Sequence, residues 1–201
     1  MNHKKTTITE VVLRDGQQSL IATRMKTDDM KPILSKMDKV GYSSVEVWGG
    51  ATYDCCLRFW NEDPWDRLKL FKKHFKNSKL QMLLRGKNLV GYKEYNNEII
   101  SLFIKNSAKH GINIFRIFDA LNDINNIKSS IEFVNDEQQN SQGTVCYTTS
   151  PVHNEKYWIN LAKNIEDIGA KSLAIKDMAG LLRPKVCYEL VKKLKKNLNI
   201  P

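Results

Sequence analysis

Short apolar runs alternate along the chain with longer stretches in which apolar residues recur every three or four positions. One repeat of this pattern takes about thirty residues, the length of a βα unit with its loops. The apolar runs are ITEVVLRD, SSVEVWGG, LQMLLRG, INIFRIFDA, GTVCYTTS and KSLAIKDMAG. Their near-continuous apolar character is typical of strands buried on both faces of a parallel sheet. The pattern therefore predicts an α/β fold.

The stretches between the runs carry the signals of helix ends. Helices are predicted to start near Thr27, Asp54, Asn96, Asp123, Asn154 and Arg183. Several of these residues supply a side-chain acceptor for the free N–H groups of a first helical turn. Glycine lies between a predicted helix and the next strand at Gly41, Gly111 and Gly169, where a left-handed C-cap favours it.

Polar residues follow each apolar run, and their distribution separates two α/β architectures. They are Arg14-Asp15, Trp48-Gly49-Gly50, Arg85-Gly86, Asp119, Thr148-Thr149 and Lys176-Asp177. A (β/α)₈ barrel gathers its site from the carboxyl ends of many strands, whereas a doubly wound sheet concentrates it at one switch point. The distribution favours the barrel, as does the absence of a G-x-G-x-x-G after the first run.

Only about six of the eight βα units that a closed barrel needs are present in the sequence. We therefore expect residues 1–201 to form the N-terminal part of a barrel, without strands seven and eight. On this expectation the chain alone has little activity.

Composition and net charge indicate which classes of partner to expect. The chain has 201 residues, 41% of them hydrophobic and 27% charged, which is typical of a globular protein. The net charge of +10 raises the question of nucleic acid, but most lysines share predicted helices with apolar residues, as in RLKLFKKHFKNSK and ELVKKLKKNLNI. We expect no nucleic-acid partner. The first residues lack a signal peptide, which predicts a cytoplasmic protein.

Cysteine and histidine add little chemistry. The cysteines match neither C-x-x-C nor a zinc ribbon, and they are predicted to be reduced apolar fillers: Cys55, Cys56, Cys146 and Cys187. The histidines are scattered and form no H-x-H pair: His3, His74, His110 and His153. No Ser-His-Asp or Cys-His arrangement is indicated.

Three polar residues at the ends of apolar runs each have a functional and a structural interpretation. Asp15 either binds a divalent cation through its carboxylate or caps a turn. Arg85 either clamps a substrate carboxylate or bonds a loop carbonyl at the surface. Asp119 either orients Arg85, touches substrate or supports its loop. Residue patterns alone leave these alternatives open.

Lys176 ends the apolar run SLAIK and is followed at once by Asp177. A buried lysine is costly unless it is paired, neutral or chemically modified. Three interpretations remain: a Schiff-base lysine, an ion-paired structural lysine, and a carbamylated lysine that binds a metal. Composition does not choose between them.

Taken together, LRDGQQSLIATRMKTDDM, VEVWGGATYD, QMLLRGKNLVGY, FRIFDALND, CYTTSPVH and IKDMAGLL resemble a known family. It is the carboxyltransferase domain of biotin-dependent enzymes: the oxaloacetate decarboxylase α subunit, pyruvate carboxylase and transcarboxylase. The resemblance runs from about Ile8 to Pro201. It is closest to the oxaloacetate decarboxylase α subunit or the biotin-bearing subunit of two-subunit pyruvate carboxylases.

The resemblance implies a (β/α)₈ barrel of the HMG-CoA-lyase-like type that carries a carboxyl group between oxaloacetate and biotin through a metal-stabilised enolpyruvate. It implies that Asp15 and carbamylated Lys176 bind a divalent metal (zinc, manganese or cobalt), and that Lys176 is thereby part of the catalytic site. It further implies that Gln18 and Arg85 hold the α-keto acid and its enolate. The remaining two residues that it assigns, Asp54 and Tyr92, line the biotin pocket.

Implied partners are oxaloacetate or pyruvate, a biotin carrier domain, and either a membrane sodium-pump subunit or a biotin carboxylase subunit. Family members are usually homo-oligomers. The family's H-x-H ligand pair, its proton-shuttling threonine and the biotinylated lysine of its carrier region would all follow Pro201.

The chain departs from the family motif at Gly16-Gln17, where Ala-His is usual. An imidazole near the site is thereby lost, and the loop is expected to be more flexible. Two alternatives stay open: an aldolase or lyase of the same barrel superfamily, and an inactive remnant.

Overall fold

The computed structural model describes residues 6–201, so His3 lies outside the described residues. It contains parallel strands whose order in the sheet is the order in the chain. The strands are β1 (Thr9–Glu10), β2 (Ser44–Trp48), β3 (Lys79–Leu84), β4 (Ile112–Ile117), β5 (Asn140–Cys146) and β6 (Ser172–Lys176). The alternating pattern of the sequence is therefore confirmed as an α/β fold.

Helices follow the strands. They are α1 (Gln17–Ile21), α2 (Thr27–Asp38), α3 (Gly50–Cys55), α4 (Pro64–His74), α5 (Asn97–Lys109), α6 (Ile124–Asp136), α7 (Glu155–Asp167) and α8 (Pro184–Asn197). Within residues 6–201, no helix is long and apolar enough to cross a membrane.

The chain divides into two compact units. The first unit is the chain up to Leu83 together with Asn106–Ile114, and the second is Leu84–Lys105 together with Phe115–Pro201. Each has its own buried apolar set. In the first this set includes Met30, Leu34, Val45, Val47, Leu68 and Phe71, and in the second Ile100, Ile104, Phe115, Ile131, Trp158 and Ile165.

Helix starts follow side-chain capping. Asp123 accepts a hydrogen bond from Asn125 N, and Asn154 accepts one from Tyr157 N. The predicted start near Asp54 is wrong for the lysine-rich helix, which begins at Pro64 after Asp63 accepts from Trp65 N. Both aspartates suit a cap, but proline at the first position of a helix fixes the backbone of the second candidate. The positive φ angles of Gly41, Gly111 and Gly169 confirm the predicted left-handed helix ends.

The first strand is shorter than the run ITEVVLRD predicts. Glu10 turns its carboxylate back on its own chain, where Oε1 accepts from Val11 N at 2.8 Å and from Val12 N at 2.9 Å. These N–H groups therefore do not donate to a neighbouring strand, and a π-helical turn, Val12–Gly16, follows. Arg14 and Asp15 therefore lie in this turn rather than at a strand end, which corrects the prediction.

The side-chain amide of Asn122 takes the place of a peptide group beside the last residue of β5. Asn122, in the left-handed conformation at φ 62°, donates Nδ2 to Cys146 O at 3.0 Å and accepts Cys146 N at Oδ1 at 2.7 Å. The backbone of the last residue of β5 is thereby bracketed by a loop residue.

The cysteines are free thiols, with Cys55, Cys56 and Cys146 buried, as predicted. Lys176 is half-buried, as are the three residues before it in β6, the last strand in the sheet order.

Candidate functional site

In the first unit, the turn after β1 brings two of the implied site residues together around Arg14. Arg14 Nη1 donates to Asp15 Oδ1 at 2.9 Å and lies 3.4 Å from Gln18 Oε1. Asp15 keeps 48% of its side chain exposed, so one face of its carboxylate stays open to a ligand. The Arg14 guanidinium thus contacts both the carboxylate of Asp15 and the amide oxygen of Gln18.

Arg14 is itself held by a buried carboxylate that sequence reasoning missed. Arg14 Nε donates to Glu46 Oε1 at 2.6 Å, and the two side chains form an ion pair with Glu46 fully buried. Gln81 Nε2 donates to the other oxygen, Glu46 Oε2, at 2.6 Å. The available signal was a glutamate between Val45 and Val47, in a strand whose five residues are all buried.

The departure from the family motif at residue 17 has a structural consequence. Gln17 is buried, and its Nε2 donates to Leu13 O at 2.9 Å while its Oε1 accepts from Met25 N at 3.2 Å. Gly16 has a right-handed helical conformation. The side chain that stands in place of histidine therefore ties the turn to the loop after α1.

Asp54 lies in α3 and forms an ion pair with Arg58 one turn later, at 2.8 Å. Both side chains are partly exposed, so this pair contributes little to stability. The carboxylate is accessible for the biotin contact that the resemblance implies.

In the second unit, Arg85 and Tyr92 face one cavity of about 360 Å³. Arg85 Nη1 donates to Gly91 O at 3.2 Å, and its guanidinium carbon lies 5.0 Å from the centre of the Tyr92 ring. The other residues lining the cavity include Asn88, Phe118, Asp119 and Asn126. A cation beside an exposed aromatic ring suits a small planar carboxylate or amide.

Asp119 follows β4 and supports its own loop. Its Oδ2 accepts from Leu121 N at 2.9 Å and Asp123 N at 3.0 Å, and its Oδ1 accepts from Asn126 Nδ2 at 2.6 Å. These donors show that Asp119 supports its loop, which is one of the three roles that the sequence left open. Asn126, which sequence reasoning missed, lies in the first turn of α6.

Lys176 is the last residue of β6. Its carbonyl accepts from Tyr147 N at 2.8 Å, and its Nζ lies 5.4 Å from the centre of the Phe118 ring. The neighbouring thiol of Cys146 has a pKa raised to about 11, mainly by burial and in part by Asp119, while the charge of Lys176 works against the rise. Asp177 accepts hydrogen bonds from Leu182 N and Leu181 N, and these bonds lower its pKa.

The donors available for a divalent metal are oxygen donors. Asp15 offers a half-exposed carboxylate, and Lys176 would offer oxygens only as a carbamate, since an ammonium has no lone pair to give. In residues 6–201, no cluster of three or more His, Cys, Asp or Glu side chains is arranged to hold a metal. The Asp15 carboxylate is of the donor type that a divalent metal accepts, and a metal role for Asp15 and Lys176 stays a prediction.

Relatives share sequence over nearly the whole chain. A pyruvate carboxylase subunit of Methanocaldococcus jannaschii is 54% identical over 194 residues, which cover 96% of this chain and 34% of that protein. The methylmalonyl-CoA carboxyltransferase 5S subunit of Propionibacterium freudenreichii is 52% identical over 188 residues, which cover 94% of this chain and 37% of that protein. The chain thus spans about a third of the length of these relatives.

Solved structures share the fold. The carboxyl transferase domain of Rhizobium etli pyruvate carboxylase with pyruvate matches the entire chain, with a TM-score of 0.96 and 41% identity, over 35% of that domain structure. The same domain with pyruvate and biocytin has a TM-score of 0.95 and 40% identity, over 100% of this chain and 35% of that one. The predicted fold class is confirmed: a (β/α)₈ barrel of the HMG-CoA-lyase-like type, of which residues 6–201 form six strands.

A family model described as HMGL-like matches residues 5–201. The chain therefore belongs to the HMGL-like family, and within it is similar to the carboxyltransferase domains of biotin-dependent enzymes.

Proposed function

We propose that the protein transfers a carboxyl group between oxaloacetate or pyruvate and biotin, in the manner of an oxaloacetate decarboxylase α subunit. The observation that carries the proposal is the cavity in which Arg85 and Tyr92 meet. Support comes from the relatives named as a pyruvate carboxylase subunit and a carboxyltransferase, and from the similar domain solved with pyruvate and biocytin.

Arg85 would bind the carboxylate of the α-keto acid. Its guanidinium is already oriented by Gly91 O, so less conformational entropy is lost when a substrate binds. Gln18, held near Arg14, would donate its amide to the keto acid, while Tyr92 and Asp54 would line the pocket for the biotin ring.

A divalent metal (zinc, manganese or cobalt) would be held by Asp15 and by Lys176 as its carbamate. When bound, such a metal polarises the keto oxygen as a Lewis acid. Asp15 contributes a carboxylate whose other contact, Arg14, fixes its direction. Carbamylation would exchange the ammonium of Lys176 for an anion with two oxygen donors.

Carboxyl transfer from oxaloacetate conserves both atoms and electrons. The bond between C3 and C4 of oxaloacetate breaks, the carboxyl group passes to N1 of biotin, and the electron pair stays on the enolate of pyruvate. The proton released from biotin N1 ends on C3, which completes pyruvate. The positive charge of Arg85 stabilises the developing negative charge next to it.

The partners that this chemistry requires are a biotin carrier domain and a subunit that uses or supplies carboxybiotin. We propose either a membrane sodium-pump subunit or a biotin carboxylase subunit for the latter role, a cytoplasmic location and a homo-oligomer. A relative named 2-oxoglutarate carboxylase large subunit, from Hydrogenobacter thermophilus, is 45% identical over 96% of this chain and 29% of that protein. 2-Oxoglutarate therefore belongs among the substrates to be tested.

The test is biotin-dependent release of pyruvate from oxaloacetate by the protein in its native length, with manganese or zinc supplied. We expect Arg85→Lys to lower kcat/KM about a hundredfold, because a lysine does not hold a carboxylate bidentately. Arg183→Lys is the matched control, since Arg183 is exposed at the start of α8. Pyruvate release that ignores biotin, or no release at all, would refute the proposal, and biotin-independent cleavage of an acyl-CoA would point to the lyase alternative.

A further inference from the structure

Asn126 connects the two loops that line the cavity of the second unit. Its Oδ1 accepts from Lys87 N at 3.0 Å, in the 3₁₀ turn that follows Arg85. Its Nδ2 donates to Asp119 Oδ1 at 2.6 Å and lies 3.5 Å from Asn88 Oδ1. One amide thus joins the loop after β3 to the loop after β4.

The backbone around Asn126 is in close contact with the same turn. Gly86 is in the left-handed region at φ 48°, and a Cβ built on it would lie 2.5 Å from Asn126 O. Only glycine fits there without movement of one of the two backbones. The turn is therefore seated directly on the first turn of α6.

The position of Arg85 depends on the shape of this turn. Arg85 N donates to Leu89 O at 3.0 Å, Leu89 N donates to Gly86 O at 3.1 Å, and the guanidinium bonds Gly91 O. Tyr92, whose ring lies under the guanidinium, follows Gly91 directly. Displacement of the turn at Lys87 would move the guanidinium and the ring together.

The amide nitrogen of Asn126 has no hydrogen to spare for a ligand. It faces two acceptors, which match the two hydrogens of an amide group, while the amide oxygen accepts from Lys87 N. Asn126 lines the cavity, but its amide nitrogen is engaged by residues of the two loops. A carboxylate of the same shape accepts from Lys87 N but donates nothing to Asp119.

We propose that Asn126 is a positioning residue of the candidate site, and that it aligns Arg85 and Tyr92 for an α-keto acid by joining their loop to Asp119. The substrate named in this inference rests on the proposed carboxyl transfer, whereas the alignment of the loop by Asn126 does not. Nothing in the sequence motifs marks Asn126, because its partners Asp119 and Lys87 lie 7 and 39 residues away along the chain.

The kinetic test compares Asn126→Ala with Asn125→Ala, its exposed neighbour in the same helical turn. We expect Asn126→Ala to raise KM for oxaloacetate about tenfold with kcat lowered less than about threefold, since substrate binding loses an aligned cation. Asn125→Ala should match the wild type. Equal kinetics in the two variants would overturn the proposal.

A swap of the two side chains tests the hydrogen bond itself. Asn126→Asp places a second carboxylate against Asp119 and should be at least as impaired as Asn126→Ala. Adding Asp119→Asn restores one donor and one acceptor across the same gap, and the double variant should recover at least half of the loss in KM on a logarithmic scale. A double variant no better than Asn126→Asp would count against a positioning hydrogen bond.

Amide hydrogen exchange gives a readout that does not depend on activity. Exchange at Lys87 and Leu89 should be at least about tenfold faster in Asn126→Ala than in Asn125→Ala, because the first amide loses its acceptor and the turn loses its support. If the wild type transfers no carboxyl group but this exchange difference is found, only the proposed function fails. Unchanged exchange at both amides would refute the positioning role.

Discussion

In the first unit, the turn that carries Asp15 rests on a buried ion pair, whereas in the second the loop that carries Arg85 rests on a neutral amide. Arg14 and Glu46 are both buried and are joined at 2.6 Å, with Gln81 satisfying the second carboxylate oxygen. Asn126 is half-buried and bonds Lys87 N at 3.0 Å. The contrast separates a support that the fold depends on from one that the site depends on.

The physical reason lies in what is left behind when a support is removed. A buried ion that loses its partner is not hydrated by solvent, and removal of the partner costs about 3–5 kcal/mol of stability. A half-buried amide group that loses its partner is largely hydrated, so its loss costs about 1 kcal/mol. Variants of Glu46 should therefore report on stability, and variants of Asn126 on function.

The largest effect is expected from Glu46→Gln. It leaves the buried Arg14 guanidinium with the half-exposed carboxylate of Asp15 as its remaining counter-ion. We expect the free energy of unfolding to fall by about 3 kcal/mol, measured by urea denaturation. Glu132→Gln, on the exposed face of α6, is the control. If the paired replacement of Arg14 by Met and Glu46 by Leu regains most of the loss, the cost lies in the unpaired charge; a single variant as stable as the wild type would remove the contrast.

The next effect tests the contact between the second loop and α6. Gly86→Ala should lower the free energy of unfolding by about 2–3 kcal/mol, because it combines a left-handed backbone with a Cβ against Asn126 O. Gly180→Ala shares the positive φ angle, at 68°, but meets nothing within 4 Å, so it should cost only about 1 kcal/mol. Equal losses in the two variants would show that the close approach to α6 carries no energy.

A pH titration of stability compares charged with neutral support. Burial raises the pKa of Asp38, but hydrogen bonds from Lys76 N, Ser78 N and Asn77 N outweigh it, so the pKa is lowered. A lowered pKa contributes stability that is present above the unfolded value of about 3.9 and is lost as pH falls through the folded value.

Acid unfolding of the wild type should therefore show a steeper loss of stability below about pH 4 than Asp38→Asn, and the variant should be less stable by about 1–2 kcal/mol at neutral pH. Asn125→Ala, at an exposed position, should leave the slope of stability against pH unaltered, because an amide does not titrate in this range. Identical slopes for Asp38→Asn and wild type would contradict the assignment.

The smallest effect is expected from Asn126→Ala on stability. It should lower the free energy of unfolding by about 1 kcal/mol, and Asn125→Ala by less than about 0.5 kcal/mol. Urea denaturation of both variants measures the difference. A loss at Asn126 as large as that at Glu46 would mean that the second loop is a structural support of the same kind as the first.

The sequence predicts what depends on local pattern. The period of apolar residues located the helices and strands, and asparagine or aspartate caps located the starts of α6 and α7. The end of β1 was wrong because Glu10 bonds its own following amides, a choice that periodicity does not contain. The start of α4 was wrong because Asp54 and Asp63 are equally good caps by residue type, and only the proline after the second decides.

The candidate site divides in the same way. Arg85 and Lys176 lie at the ends of β3 and β6, where the apolar runs predicted them, whereas Asp15 and Gln18 lie in the turn and the helix that follow the shortened β1. Glu46 and Asn126 owe their roles to partners 32 and 39 residues away, Arg14 and Lys87, which no local pattern reveals. The roles of Asp15 and Lys176 toward a metal stay predictions, as do those of Asp54 and Tyr92 toward biotin.

The bracket that Asn122 forms around the last residue of β5 bears on how this region tolerates insertions. Its amide imitates a peptide unit and satisfies both backbone groups of Cys146. β4 can therefore end before Asn122 without leaving the backbone N–H and C=O groups of Cys146 unpaired. Residues inserted between β4 and Asn122 would move this amide away from Cys146, and residues inserted directly after Asn122 would displace Asp123, the cap of α6, from Asp119. Natural variation in loop length should accordingly be small on both sides of this asparagine.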